Sequence, residues 1–181
     1  TKELQENPDS KTLKINDDAL GEIEFTPKKL KTKKFVADLL KASYEHYTSQ
    51  DSHKYYPADF KFCEKQVETA LTFNEGQFDP RNRSIVDTEP TFDIAIEEDW
   101  AKYEYEMPDG TTITGNLAIK GTIDLVTKIE DNIIEVVDWK TGQRKNWATG
   151  EEKTYEKLLD DAQLLLYNYA ISKLYPDYEQ A

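Results

Sequence analysis

From Leu30 to about Ser49 the apolar positions Phe35, Val36, Leu39, Leu40, Tyr44 and Tyr47 recur at roughly helical spacing, which predicts an amphipathic helix with a lysine-rich start. The segment QDSHKYYP interrupts it, and a second helix is expected from Ala58 to Phe73, with Phe60, Cys63, Val67, Ala70 and Leu71 inward. A neighbouring face of that helix carries Glu64 and Glu68, one turn apart. Residues 1–20 are polar and broken by Asn7, Pro8, Asp17 and Asp18, so they read as a loose arm with at most a short strand near Leu13 and Ile15.

After the loop EGQFDPRNR, marked by Gly76 and Pro80, the period changes from helix to strand. Three runs follow: SIVDTEPTFDIAI, TTITGNLAIKGTIDLVTKI and NIIEVVDWK. The short turns MPDG and EDN between them predict neighbouring antiparallel strands. Beyond the polar loop KNWATGEEK a last helix is expected from about Tyr155 to Leu174. Leu158, Leu159, Ala162, Leu165, Leu166, Tyr169 and Ala170 give it a broad apolar face, and it stops before Pro176, as helices do. Helices, strands and a final helix in this order predict an α+β (mixed α/β) fold, a sheet with antiparallel hairpin strands flanked by helices.

Length and composition narrow this picture. The 181 residues suit one domain with a small appendage, and 38% hydrophobic against 33% charged residues is a polar but foldable balance. No apolar run approaches the roughly 20 residues that span a bilayer, so no membrane association is expected. The single cysteine, Cys63, excludes an internal disulfide and any four-cysteine cluster, and fits a reducing cytoplasm. The net charge of −13 speaks against a nucleic-acid partner at first sight. A phosphate backbone senses the local field, however, and PKKLKTKK concentrates Lys28, Lys29, Lys31, Lys33 and Lys34, with Arg144 and Lys145 forming a second, smaller basic pair. A solvated helix start and a phosphate contact both remain open for these lysines.

The stretch with most chemistry is IEVVDWKTG, residues 134–142. Side chains alternate across a strand, so Asp138 and Lys140 share one face while Trp139 points to the other. On the preceding strand, GTIDLV places Asp124 among apolar residues, and the short hairpin puts it within reach of Asp138. Two opposed carboxylates repel unless a cation or a shared proton lies between them. Mg²⁺ is a suitable cation, since it prefers carboxylate and water oxygens and adds substrate phosphate to its shell. A lysine beside it orients or helps deprotonate a water, or stabilises charge developing on a phosphoryl group. For DWK alone, a plain salt bridge at the end of a strand stays open as the other reading.

The succession GTIDLV, EVVDWKTG and DAQLLLYNYA resembles the PD-(D/E)XK nuclease superfamily, in the branch of RecB-like and phage exonucleases. There a G-x-I-D strand precedes a D-x-K-T strand and a helix carrying Q-x-x-x-Y, matched here by Gly121–Asp124, Asp138–Thr141 and Gln163–Tyr167. The resemblance implies a restriction-endonuclease-like core over residues 56–181, with 1–55 as arm and amphipathic helix. It makes Asp124, Asp138 and the backbone carbonyl of Trp139 ligands of Mg²⁺ or Mn²⁺, Lys140 the catalytic lysine, and Gln163 and Tyr167 its helpers. A further acid on an earlier element is expected at Glu68, Glu64 or Glu89. Relatives commonly continue into another strand after the Q-x-x-x-Y helix, whereas seven residues follow Leu174 here, so a fragment, a protein partner or a homo-oligomer completing the sheet edge is expected.

These readings lead to a metal-dependent deoxyribonuclease, an exonuclease acting on linear DNA in phage or bacterial recombination, repair or replication, with no iron–sulfur cluster, in the cytoplasm of a bacterial or phage-infected cell. A catalytically silent nuclease-fold module that binds DNA or scaffolds a complex is the alternative. An acidic nucleic-acid mimic is weaker, since lysines are dispersed among the acids.

Overall fold

A computed structural model describes residues 2–17, 19–142, 145, 148–152 and 154–180. The chain separates into two compact units, Thr1–Ile85 and Val86–Ala181, a boundary later in the sequence than the one expected at residue 55.

In the first unit the polar start is ordered rather than loose. Helix α1 (Lys2–Glu6) precedes an antiparallel hairpin of β1 (Leu13–Asp17) and β2 (Gly21–Phe25). Leu13 and Phe25 are register partners on the inward face, and with Phe35 they close a small core, the two phenylalanine rings 5.4 Å apart. GEIEF has too few apolar residues for its alternation to stand out among charges. Gln5 ties α1 down: its amide donates to the Arg83 carbonyl at 2.6 Å and accepts from the Ile85 N–H at 2.8 Å. Helix α2 (Pro27–Leu30) and helix α3 (Lys33–Gln50) are each started by a threonine, Thr26 and Thr32, whose hydroxyls accept the N–H groups of Lys29 and Phe35, both at 3.2 Å. Helix α4 (Pro57–Thr72) opens on proline, and its more covered side holds Phe60, Cys63, Val67, Ala70 and Leu71, as expected, though all are only half-buried. Tyr47, expected inward on α3, faces solvent, while Tyr44 packs edge-on against Phe60 at 5.0 Å.

The second unit is built on strands. The three expected runs resolve into β3 (Ser84–Thr88, across the unit boundary), β4 (Thr91–Ala95), β6 (Thr112–Asn116), β7 (Ala118–Thr122), β8 (Leu125–Glu130) and β9 (Ile133–Val137). Strand β5 (Lys102–Glu106) lies where none is expected, because KYEYE alternates tyrosine with glutamate and carries no aliphatic residue. The main sheet runs β10–β9–β8–β3, with β9 antiparallel to β8 and parallel to β10 (Glu179–Gln180). The strand anticipated after the last helix is therefore begun within the chain, Glu179 pairing with Ile133. Strands β4 and β7 pair antiparallel, and β5 and β6 prolong the same two-stranded ribbon, joined through Ile96 and Ala101 to Leu117, each bond 2.8 Å.

The last helical stretch is broken into α5 (Tyr155–Leu159) and α6 (Ala162–Leu174). Asp161 restarts it by accepting the Gln163 N–H at 3.0 Å. The face buried is not the one expected: Tyr167, Ala170 and Ile171 meet Phe92, Ile123, Val126 and Ile134 in the core, while Leu159, Leu165 and Leu166 remain exposed. Tyr167 decides this phase, since a ring that buries its body and bonds its hydroxyl inward outweighs leucines at the helix start. Among the described residues no helix is long and apolar enough to cross a membrane.

Beyond α6, the Tyr175 hydroxyl donates to Asp87 at 2.9 Å, and burial together with this bond pushes its ionisation well above the ordinary tyrosine value. The protonated phenol is thus favoured by the fold. The stability it supplies is fully present below the unfolded value of about 10 and is lost as pH rises through the higher folded value. Urea midpoints taken across that range will fall more steeply for the native chain than for Tyr175→Phe; parallel curves would show the bond to be idle.

Candidate active site

The β8–β9 hairpin sets the site. Its register pairs Leu125 with Val137, so the next opposed pair, just off the strand ends, is Asp124 and Asp138. Ile123, fully buried, and Leu125 anchor the chain on either side of Asp124. The Trp139 N–H donates to Oδ2 of Asp124 at 2.6 Å, fixing that carboxylate against the backbone between Asp138 and Lys140. Asp138 itself is largely buried, its side chain 10% exposed, and its Oδ2 lies 2.7 Å from the Lys140 ammonium.

From Lys140 a line of polar contacts runs into the core. Its Nζ donates to Oε1 of Gln163 at 2.9 Å, Gln163 Nε2 donates to the Tyr167 hydroxyl at 2.7 Å, and that hydroxyl donates to the Thr122 carbonyl at 3.0 Å. Gln163 and Tyr167 are one turn apart on α6, so a single helix face delivers both. The hydrogen bond to Asp138 holds Lys140 above its usual range despite partial burial, with the charges of Asp138, Tyr167 and Asp124 acting in the same direction. Lys140 is accordingly a cation in this arrangement.

Several residues that sequence reasoning did not single out support this line. Phe92 is the register partner of Gly121, and its ring occupies the space a side chain there would need: a Cβ on Gly121 would stand 2.8 Å from Phe92 Cζ. The same ring meets Tyr167 edge-on at 6.2 Å. Asp161, by capping α6, sets the height at which Gln163 emerges. The one available signal was an acid immediately before a helical run.

The other candidates are placed as follows. Glu89 sits in a left-handed backbone conformation (φ 51°) between β3 and β4, and its N–H donates to the Asp124 carbonyl at 3.1 Å, so backbone brings it beside Asp124 while its side chain is exposed. Glu64 and Glu68 are exposed on α4 in the first unit. Lys28, Lys29, Lys31, Lys33 and Lys34 are exposed on α2, the turn after it and the start of α3. Lys145 is exposed and forms an isolated antiparallel bridge with Glu152; Arg144 lies outside the described residues.

The donor set fits a hard divalent cation. Asp124 and Asp138 each have one oxygen engaged, and among the described residues the other, Oδ1, has no hydrogen-bond partner. Among the described residues no group of three or more His, Cys, Asp or Glu is assembled, which suits an ion that keeps several waters and takes the rest of its shell from carbonyl and phosphate oxygens.

Two acids and a lysine at the open end of an antiparallel hairpin, backed by a helix, define a metal-assisted phosphodiesterase type of centre. The family model of the PD-(D/E)XK nuclease superfamily matches residues 19–181, and the chain belongs to that superfamily. Its members are generally metal-dependent nucleases that typically use Mg²⁺ or Mn²⁺. No curated protein and no solved structure gives a significant match.

Proposed function

We propose that the chain is a Mg²⁺- or Mn²⁺-dependent deoxyribonuclease of the RecB-like branch, an exonuclease on linear DNA that serves recombination, repair or replication in the cytoplasm of a bacterial or phage-infected cell. The observation that carries the proposal is the unbroken contact line from Asp138 through Lys140 and Gln163 to Tyr167, with Asp124 tied alongside by Trp139. When bound by Asp124, Asp138 and the Trp139 carbonyl, the metal supplies Lewis-acid charge for the scissile phosphate and acidifies a water. Lys140 holds a fixed positive charge beside that position, and its raised ionisation favours charge stabilisation over proton abstraction. Gln163 keeps the ammonium from rotating away, and Tyr167, pinned to Thr122 and Phe92, keeps Gln163 in place.

End-labelled linear and closed-circular DNA, single- and double-stranded, incubated with Mg²⁺ or Mn²⁺ and with EDTA, tests the reading. Linear DNA is degraded only with metal, circles are spared, and Asp124→Asn weakens Mn²⁺ binding by at least about tenfold, the lower end of what losing even an outer-shell partner costs. Cleavage of circles would make the enzyme an endonuclease. A folded chain that binds DNA and cleaves none of these substrates would return the silent binding module.

A further inference from the structure

The distal half of the β4–β7 ribbon, formed by β5 and β6, takes no part in the hydrophobic core of its unit. All five residues of β5 are exposed. The register pairs Tyr105 with Ile113 and Tyr103 with Gly115, which places both tyrosines and Ile113 on one face. Tyr103 lies flat enough against Gly115 that a Cβ there would meet its hydroxyl at 2.6 Å. These residues are 44%, 59% and 45% exposed, and Trp100 at the base of the ribbon is 70% exposed. A two-stranded hairpin with both faces wet is marginal on its own, and an aromatic-rich patch of this kind is what interface centres are made of.

Charge narrows what can cover it. Residues 97–109 hold Glu97, Glu98, Asp99, Glu104, Glu106 and Asp109 against Lys102 alone, and Lys102 is already paired with Asp99 at 2.6 Å. Such a surface repels a phosphate backbone and calls for a basic partner. The chain contains one: Lys28, Lys29, Lys31, Lys33 and Lys34 fall within seven positions without an intervening acid, are exposed, and among the described residues have no carboxylate partner. Leu30, half-buried, and the stem of Lys29 over the Phe35 ring at 5.2 Å add apolar surface beside them.

We propose that the β5–β6 ribbon is a docking element for a second copy of this chain, its tyrosine face and acids engaging the lysine-rich start of α3 on that copy. The two patches differ, so the contact is head-to-tail and builds a ring or an open chain of copies. The lysines then act in assembly rather than as phosphate contacts.

Sedimentation velocity of the whole chain over a range of concentrations, at about 0.05 M and about 0.5 M salt, tests this. Self-association is expected at low salt and weakens at high salt. Glu104→Lys with Glu106→Lys, and separately Lys31→Glu with Lys34→Glu, each weaken it by about tenfold or more, and mixing the two variant chains restores a hetero-association. Tyr103→Ser with Tyr105→Ser, exposed positions whose folding is checked by thermal melting, weakens it at both salts. The proposal is overturned if the native chain stays monomeric at low salt, if the charge variants associate like it, or if the mixture fails to associate. It is equally overturned if Lys31→Glu with Lys34→Glu weakens binding of short DNA duplexes while self-association is unchanged, which would assign the lysines to phosphate.

Discussion

Lys140→Ala lowers metal-dependent DNA cleavage by about 10²- to 10³-fold, the usual cost of removing one preorganised group that stabilises developing charge, and leaves Mn²⁺ binding as tight or tighter. The two effects have opposite signs for a physical reason. The ammonium occupies Oδ2 of Asp138 at 2.7 Å and repels an incoming cation, so its loss frees a carboxylate oxygen and removes a like charge. Single-turnover cleavage together with Mn²⁺ titration of the same variant separates them. Parallel loss of cleavage and metal binding would mean that Lys140 organises the acids and does not act on the phosphate. Gln163→Ala is the companion measurement: it leaves the charge but removes its tether at 2.9 Å, so it lowers turnover by less than Lys140→Ala does. Full activity in Gln163→Ala would show that Asp138 alone positions the lysine.

Gly121→Ala destabilises the second unit even though alanine is ordinarily the better strand residue. Replacing glycine in a strand gains about 0.5–1 kcal/mol from the unfolded chain. Here the new Cβ stands 2.8 Å from Phe92 Cζ and 3.1 Å from Cε1, and Phe92 is 6% exposed with Tyr167 against it, so the ring has little room to yield. Overpacking of this kind costs about 1–3 kcal/mol, so the clash wins. A fall in melting temperature of several degrees is expected in calorimetry, about 4–8 °C for each net kcal/mol in a unit of this size. Phe92→Leu in the same chain recovers part of it. An unchanged or raised melting temperature would show that Phe92 swings aside freely, and the support it gives Tyr167 would then be soft.

The catalytic-type residues were legible because they obey short-range rules. Strand alternation put Asp138 and Lys140 on one face, and a one-turn spacing put Gln163 and Tyr167 on one face of a helix, and the contacts join all four. The α+β class followed from the change of period between residues 73 and 84. What was hidden depends on pairing between distant segments. Nothing in TFDIA announces that Phe92 will fill the space above Gly121, since that rests on the β4–β7 register. The buried face of α6 was misread because counting leucines ignores the break at Asp160 and Asp161 and the inward bond of Tyr167. The hairpin of β1 and β2 was missed because charges in KINDD and GEIEF outnumber the apolar positions that bury.

The bond from the Trp139 N–H to Asp124 has a consequence for how freely the motif tolerates change. Residue 139 serves the centre through its main chain: the amide steadies one acid, and on the proposed reading the carbonyl completes the cation's shell. Neither group depends on which side chain is attached. The middle letter of D-x-K is therefore open to exchange among residues of many kinds, with the indole free to be selected for other tasks. Proline is the exception, because it alone arrives without the N–H.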